Sequence, residues 1–254
     1  MPPSPVPKRE TFKVPQAFAQ ALALHTQGQQ NEAERIYSEV LAHRPDHFDA
    51  LQMLSVIKLA KSQPAEALRL ISQAMRMRKP SPQILVNFGM ILHALERREE
   101  ALASFDEALK QKSKFAEAHN NRGAVLSDLG RNAEAIDCFH KALALKADYA
   151  DAHYNLGSSL RVLGRYDEAL TSLNRALALR PNYPKALNNR ANVMEGLNRL
   201  PEALVDYEHA LALDPCFTEA RNNRGRVLLG LDRADDAVDN FTTALKINPR
   251  DAEA

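Results

Sequence analysis

A period of 34 residues runs through this 254-residue chain and limits the folds that it can adopt. One alanine recurs at every step, with an acidic residue before it and a large apolar residue four places after it. Since residues three or four apart share one face of a helix, this spacing predicts a helix that packs closely on a neighbour. The alanines are Ala33, Ala67, Ala101, Ala135, Ala169, Ala203 and Ala237, and the large residues are Tyr37, Ile71, Phe105, Phe139, Leu173, Tyr207 and Phe241.

Each period also contains an earlier apolar stretch that predicts a first helix with a small residue on its packing face. Gly28, Gly130 and Gly164 predict left-handed residues at the end of that helix, and Asn198 tolerates the same conformation. Each unit therefore reads as helix, tight turn, helix and short link. The small residues are Gly89, Gly123, Gly157 and Gly225, with Ala21, Ser55 and Ala191 in their place elsewhere, and Pro45, Pro181, Pro215 and Pro249 close four of the units.

These residues resemble the tetratricopeptide repeat, a helix-turn-helix unit with the same period. The resemblance covers residues 14–251 without insertion and implies an all-α fold, a right-handed α-solenoid of seven such units. The aromatic residue that is common early in the first helix is replaced in every unit, by Ala17, Leu51, Leu85, His119, His153, Leu187 and Arg221. The predicted units are 14–47, 48–81, 82–115, 116–149, 150–183, 184–217 and 218–251.

Two short segments lie outside the predicted array. Residues 1–13 are rich in proline and polar residues, and we expect a disordered tail. Residues 252–254 repeat the sequence of residues 116–118 and predict the start of an interrupted eighth unit. Because solenoids need a polar terminal cap, the chain reads as a fragment of a longer protein or as an array that a partner caps.

Charge and composition favour a protein ligand over other partners. Lysine and arginine (33) nearly cancel aspartate and glutamate (32), so no nucleic acid or anionic membrane is expected as a partner. The chain has no apolar run of the ~18 residues that a bilayer span needs, and no secretory signal. These observations favour a cytoplasmic location.

No constellation of residues predicts catalysis, a cofactor or a metal. His43 and His47 have helical spacing, but Pro45 lies between them. No glycine-rich phosphate loop or nucleophile elbow is present. Cys138 and Cys216 make no disulfide framework, and we expect two reduced, non-catalytic thiols. The chain is therefore not expected to be an enzyme by itself.

One polar feature exceeds what packing requires, a row of asparagines at the sixth place of successive units. In tetratricopeptide arrays this place faces the concave groove, so the resemblance implies a row of carboxamides there. A carboxamide both donates and accepts, so the row could hold an extended peptide by its backbone, meeting about every third ligand residue. Asparagine is also common at this place in repeats of no special function, and that interpretation stays open. The row is Asn87, Asn121, Asn155, Asn189 and Asn223; Asn120, Asn188 and Asn222 precede three of them, and Tyr154, Arg161, Lys185 and Arg226 complete the predicted peptide-binding groove.

The predicted groove changes character along the chain. Its lining is apolar in the first three units and polar in the later ones, where Asn192 and Glu195 join the residues above. An amphipathic ligand, the folded-back tail or a second copy of the chain could each use the apolar part. The apolar lining comprises Phe18, Leu22, Met53, Val56, Leu59, Val86 and Met90.

Three functions follow from this organisation. The first is a scaffold that recruits a partner protein through the groove. The second is the substrate-targeting arm of a larger enzyme, because a long array with an asparagine row resembles the repeat region of O-GlcNAc transferase-like glycosyltransferases, whose catalytic domain has no counterpart in this chain. The third is self-association through the terminal repeats.

Overall fold

A computed structural model describes residues 12–247, and all of the regular secondary structure in this range is helical. The fourteen helices of these residues fall two to each predicted unit, which confirms the all-α fold of seven helix-turn-helix repeats. The expectations for most of the tail and for residues 252–254 lie outside the described residues. The helices are α1 (Val14–Thr26), α2 (Gln30–His43), α3 (Phe48–Ala60), α4 (Pro64–Met77), α5 (Pro82–Ala94), α6 (Arg98–Gln111), α7 (Ala116–Asp128), α8 (Asn132–Leu145), α9 (Ala150–Val162), α10 (Tyr166–Leu179), α11 (Pro184–Gly196), α12 (Leu200–Leu213), α13 (Thr218–Gly230) and α14 (Ala234–Ile247).

The two helices of a repeat meet where a small residue of the first lies under a large residue of the second. A Cβ atom added to Gly123 would come within 2.6 Å of the Phe139 ring, and one added to Gly157 within 2.6 Å of Leu173 Cγ. The recurrent alanines beside these large residues are fully buried. The helix pairs therefore approach more closely than any larger side chain would allow.

The turn between the helices has a left-handed residue at the same place in every repeat. Gly130 and Asn198 have φ angles of +74° and +59°, as the sequence predicts. Ser62, Glu96 and Asp232 adopt the same conformation without a sequence signal, with φ between +56° and +60°. Around Glu96, the Arg97 amide donates to the Leu92 carbonyl at 2.9 Å, which closes the end of α5.

Three polar residues that replace the early aromatic of the first helix bind the preceding link. Nε2 of His119 lies 3.0 Å from the Ser113 carbonyl oxygen, and Nε2 of His153 lies 3.0 Å from that of Ala147. Arg221 donates to the Pro215 carbonyl at 2.7 Å. These side chains tie a first helix to the link before it, so their role is structural.

The described residues form two compact blocks. The N-terminal block holds α1–α6 and the C-terminal block, which begins at Lys112, holds α7–α14. In the C-terminal block the first helices α7, α9, α11 and α13 contact one another in succession, so they make one continuous face. No helix of residues 12–247 is long and apolar enough to cross a membrane.

The left-handed turn residues make a direct test of this local structure. Ser62→Gly is expected to raise the melting temperature by about 2 °C, because glycine adopts positive φ without the Cβ clash that other residues suffer. Gly164→Ala, at the equivalent place of the fifth repeat, is expected to lower it by a similar amount. Thermal melts followed by circular dichroism measure both shifts, and a lower melting temperature for Ser62→Gly would contradict the assignment.

Candidate functional site

The asparagines of the C-terminal block lie at the fifth and sixth places of its first helices. Asn120 and Asn121 lie on α7, Asn155 follows Tyr154 on α9, and the remaining four lie as pairs on α11 and α13. The structure thus brings these side chains to the face that the first helices share. Asn87 lies on α5 of the N-terminal block, where its Oδ1 accepts from Gln83 at 3.2 Å.

Much of this hydrogen-bonding capacity connects one repeat to the next. Asn155 Nδ2 donates to Asn120 Oδ1 at 3.0 Å, from α9 to α7. Asn223 Nδ2 donates to Asn188 Oδ1 at 3.1 Å, from α13 to α11. In each pair the sixth place of one repeat binds the fifth place of the repeat before it. The asparagine row therefore links the first helices of the block.

Between α9 and α11, the link of the asparagine row is made by a tyrosine, Tyr154. Burial raises the pKa of the Tyr154 hydroxyl, and a hydrogen bond from Asn189 partly opposes that rise. The Tyr154 ring also lies 5.0 Å from the ring of Tyr183 in the following link. Asn189 therefore joins α11 to α9, as Asn155 joins α9 to α7.

Burial separates the asparagines that a ligand can reach from those that it cannot. Asn189 and Asn223 are 7% and 5% exposed, and Asn120, Asn188 and Asn222 are buried as well. Asn121 and Asn155 are half-buried. Contact between a ligand and the buried carboxamides is therefore limited in this conformation, although the sequence places them all on the groove.

A second polar network occupies the ninth and twelfth places of α11. The Tyr207 hydroxyl donates to Asn192 Oδ1 at 2.5 Å and lies 3.2 Å from Glu195 Oε2. Glu195 also accepts from Arg226 of α13 at 3.2 Å, and Asn192 accepts from Asn223 at 3.0 Å. Burial and the neighbouring Glu195 carboxylate raise the pKa of Tyr207, which stays protonated as a donor.

This network borders a cavity of about 560 Å³ on the first-helix face. Arg226 neutralises Glu195 there, whereas Arg161 makes no ion pair among the described residues. The Arg161 Nε atom is buried and has no hydrogen-bond partner within the described range. The cavity can therefore accept an anionic or hydrogen-bond-accepting group. Its lining comprises Arg161, Asn192, Glu195, Gly196, Glu219, Asn223 and Arg226.

The structure gathers only some of the predicted groove residues at this cavity. Arg161, Arg226 and Asn223 line it, whereas Lys185 is exposed and lies outside its lining. Sequence reasoning missed Glu219, whose Oε1 accepts from Asn188 at 2.9 Å. It also assigned Tyr207 to packing alone. The hydroxyl that Tyr207 has and Phe139 lacks at the same place was the available signal.

The corresponding face of the N-terminal block exposes part of the predicted apolar lining, but Val86 was wrongly placed there, because it is fully buried in the core. Leu22 is 41% exposed, and Met53, Val56 and Leu59 are half-buried. Tyr37 lies at the place of Tyr207 in this block, but its fully buried hydroxyl has no hydrogen-bond partner among the described residues. Burial raises its pKa to about 12.

Thiols and metal-ligating side chains do not form a further site in the described part of the chain. Cys138 is buried and accepts from Arg122 at 3.1 Å, and Cys216 is exposed. Both are free cysteines. Residues 12–247 contain no group of three histidine, cysteine, aspartate or glutamate side chains placed to hold a metal ion.

Comparison with protein families identifies the repeat. One tetratricopeptide repeat model matches residues 114–182 and 148–215, and two further models of this repeat match residues 89–130 and 188–252. Together these matches extend from residue 89 to residue 252, well over half of the chain. No curated protein sequence matched the chain.

Several solved structures share this fold. YrrB, described as a TPR protein with an unusual peptide-binding site, is 28% identical; the match covers 72% of this chain and 94% of YrrB with a TM-score of 0.56. MamA is 25% identical over 65% of this chain and 97% of its own, with a TM-score of 0.57. The APC/C hetero-tetramer Cut9–Hcn1 is 21% identical, covers 85% of this chain and 43% of its own, and has a TM-score of 0.79, a likeness of fold alone.

The two buried tyrosines provide a matched test of the polar network. Tyr207→Phe is expected to lower the free energy of unfolding by about 1–2 kcal/mol, because Asn192 loses a buried donor. Tyr37→Phe is expected to raise it by up to about 1 kcal/mol, because a buried hydroxyl without a partner is removed. Urea denaturation of both variants measures these changes. Effects of the same sign and size would contradict the difference in hydrogen bonding.

Proposed function

Because this chain belongs to the tetratricopeptide repeat family, we propose that it is a non-catalytic scaffold that recruits a partner protein. The partner would present a peptide segment to the first-helix face of the C-terminal block. The observation that carries this proposal is the charged cavity of about 560 Å³ in which Arg161 makes no ion pair or side-chain hydrogen bond with any described residue.

The charges of the cavity specify what such a segment would carry. Arg226 and Glu195 neutralise each other, and the Glu195 carboxylate also lies beside the Tyr207 hydroxyl. Arg161 and Glu219 have no ion-pair partner among the described residues. A ligand carboxylate at Arg161 and a ligand donor at Glu219 would complete both groups, since charge-assisted hydrogen bonds are stronger than neutral ones.

The asparagine row would contribute less to the ligand than the sequence suggested. Asn155 and Asn121 are half-buried, but the Nδ2 atom of Asn121 is itself buried, so Asn155 is the sixth-place carboxamide of the block that could best contact a peptide backbone without large movement. The others hold neighbouring first helices in register. Peptide binding in this proposal therefore depends on the charged cavity first and on Asn155 second.

A substrate-targeting arm of an O-GlcNAc transferase-like enzyme is the alternative proposal. It would use the full row of carboxamides to hold a substrate backbone. The burial of Asn189 and Asn223 favours the scaffold instead, because these carboxamides already bind the chain itself. The peptide-binding site described for YrrB, which is 28% identical, also supports the proposal that a groove of this repeat takes peptides.

Selection of peptide ligands tests the scaffold proposal. Random peptides of about 12 residues, which extend to roughly 40 Å, would be displayed on phage and selected on the immobilised chain. We expect acidic residues to be enriched among the selected peptides. The Arg161→Ala variant should bind these peptides about tenfold more weakly, the equivalent of about 1.4 kcal/mol. Fluorescence anisotropy measures these affinities.

Two controls make the result specific. Lys141→Ala removes an exposed lysine of α8 outside the cavity and should leave the affinity unchanged. Asn155→Ala should weaken binding by less than Arg161→Ala does. If the selected peptides bind Arg161→Ala as tightly as the unaltered chain, the cavity is not their site and the proposal fails.

A further inference from the structure

We propose a second binding site on the opposite side of the C-terminal block, a cleft between α8 and α10 that receives an acidic amphipathic helix of a partner protein. The cleft is lined mainly by the second helices α8 and α10, with two residues of α9 at its base, and shares no residue with the cavity of the first-helix face. It therefore does not depend on the function proposed above.

In the sixth repeat, the space between consecutive second helices is filled by an arginine at the seventh place of the repeat. Arg190 of α11 donates from Nη1 to Asn174 Oδ1 of α10 at 2.8 Å. Its Nε and Nη2 atoms donate to the two carboxylate oxygens of Asp206 on α12, both at 2.7 Å. The guanidinium group thus spans the second helices of two consecutive repeats.

The seventh repeat has the same arrangement. Arg224 of α13 donates to Glu208 of α12 at 3.1 Å and to Asn240 of α14 at 3.2 Å. The Arg224 side chain thus connects α12 to α14, the second helices of two consecutive repeats. An arginine here, with a polar partner on each side, is therefore a recurrent way to close the space between repeats.

The fifth repeat lacks both parts of this bridge. Leu156 occupies the seventh place, and Ser172 occupies the place of Asp206. A cleft of about 580 Å³ opens instead, within the range of roughly 300–1,000 Å³ that is typical of ligand sites. It is lined by His140 and Leu143 of α8, His153 and Leu156 of α9, and Thr171, Ser172, Asn174, Arg175 and Ala178 of α10.

The N-terminal block shows the same relation between this place and a cleft. Leu54 occupies the seventh place of the second repeat and lines a smaller cleft of about 260 Å³. There Gln73 of α4 donates to the Pro45 carbonyl at 2.9 Å across one side of the cleft. Arg175 takes the place of Gln73 in the fifth repeat, but it is exposed and makes no hydrogen bond or ion pair with any described residue.

Charge identifies the occupant of the larger cleft. None of its nine lining residues is acidic, and Arg175 is a cation without a partner in the described part of the chain. Glu168, whose charge acts on His140, is already bound by Arg165 at 2.7 Å. An incoming segment that carries carboxylates therefore complements the rim.

Shape and polarity complete the assignment. Leu143 and Ala178 present apolar surface between two second helices, above Leu156, which is only 4% exposed. A third helix packs well in such a groove by ridges into grooves. A helix with apolar side chains one turn apart would bury them against Leu143 and Ala178 while its acidic residues meet Arg175. The occupant is accordingly an acidic amphipathic helix.

The test rebuilds the missing bridge in the full chain. Leu156→Arg combined with Ser172→Asp reproduces the Arg190–Asp206 pair that the next repeat already accommodates. The probe is a fluorescently labelled amphipathic helix of glutamate and leucine, and the matched control probe has lysine in place of glutamate. We expect the glutamate helix to bind the unaltered chain, and the double variant to bind it about tenfold more weakly. The lysine helix should not bind.

Further variants distinguish the two sites and the other occupants. Arg161→Ala, in the first-helix cavity, should leave glutamate-helix binding unchanged. Arg175→Glu tests the charge without filling the cleft. It should weaken binding of the glutamate helix, and this result can be obtained even if the double variant fails to fold. The proposal is overturned if the glutamate helix does not bind, if the lysine helix binds equally, or if the affinity survives both cleft variants. A dimer of the chain that the double variant abolishes would overturn it too, by assigning the cleft to a second copy.

Discussion

The contact between a large side chain of the second helix and a small residue of the first determines how each repeat of this protein is built. A Cβ atom at Gly89 or Gly225 would lie 2.6 Å from a phenylalanine ring of its own repeat, so a larger residue would separate the helices. The same contact recurs through the chain, and alanines and large apolar residues form the core around it. Interior packing at this density tolerates little change in volume, which explains the strictness of the pattern.

Polar residues on the stacking surface obey a second constraint, because a buried carboxamide must find a partner. In the C-terminal block the Asn155–Asn120 and Asn223–Asn188 pairs supply such partners between consecutive first helices. A row of polar residues at repeat spacing can therefore hold repeats together, and its periodicity alone does not distinguish that role from ligand binding. Burial and partners make the distinction: Asn223 is 5% exposed and donates to Asn188 and Asn192, whereas Arg161, which lines the same cavity, makes no ion pair among the described residues.

The places where repeats differ create the open surfaces of this protein. Leucine at residue 156 leaves a cleft where arginine at residue 190 forms a bridge, although the helices around both are equivalent. Arg161 makes no ion pair among the described residues, whereas Glu195, which holds the same place one repeat later, pairs with Arg226. The surfaces of successive repeats thus differ through single substitutions that leave the packing contact between their helices unchanged.

The sequence by itself determined the period, the helix pairs and four of the left-handed turns, because these depend on residues close together in the chain. Glycine or asparagine at the turn predicts a positive φ, whereas Ser62 and Glu96 adopt a positive φ because the repeat around them imposes the turn. The pairing of polar groups was decided by the tertiary structure. Asn188 and Asn223, or Tyr207 and Glu195, meet across helices, and no local pattern states which neighbour a carboxamide or hydroxyl will reach. The sequence pattern of the asparagine row therefore suggests a ligand site, whereas the tertiary structure shows that several of these asparagines link neighbouring repeats.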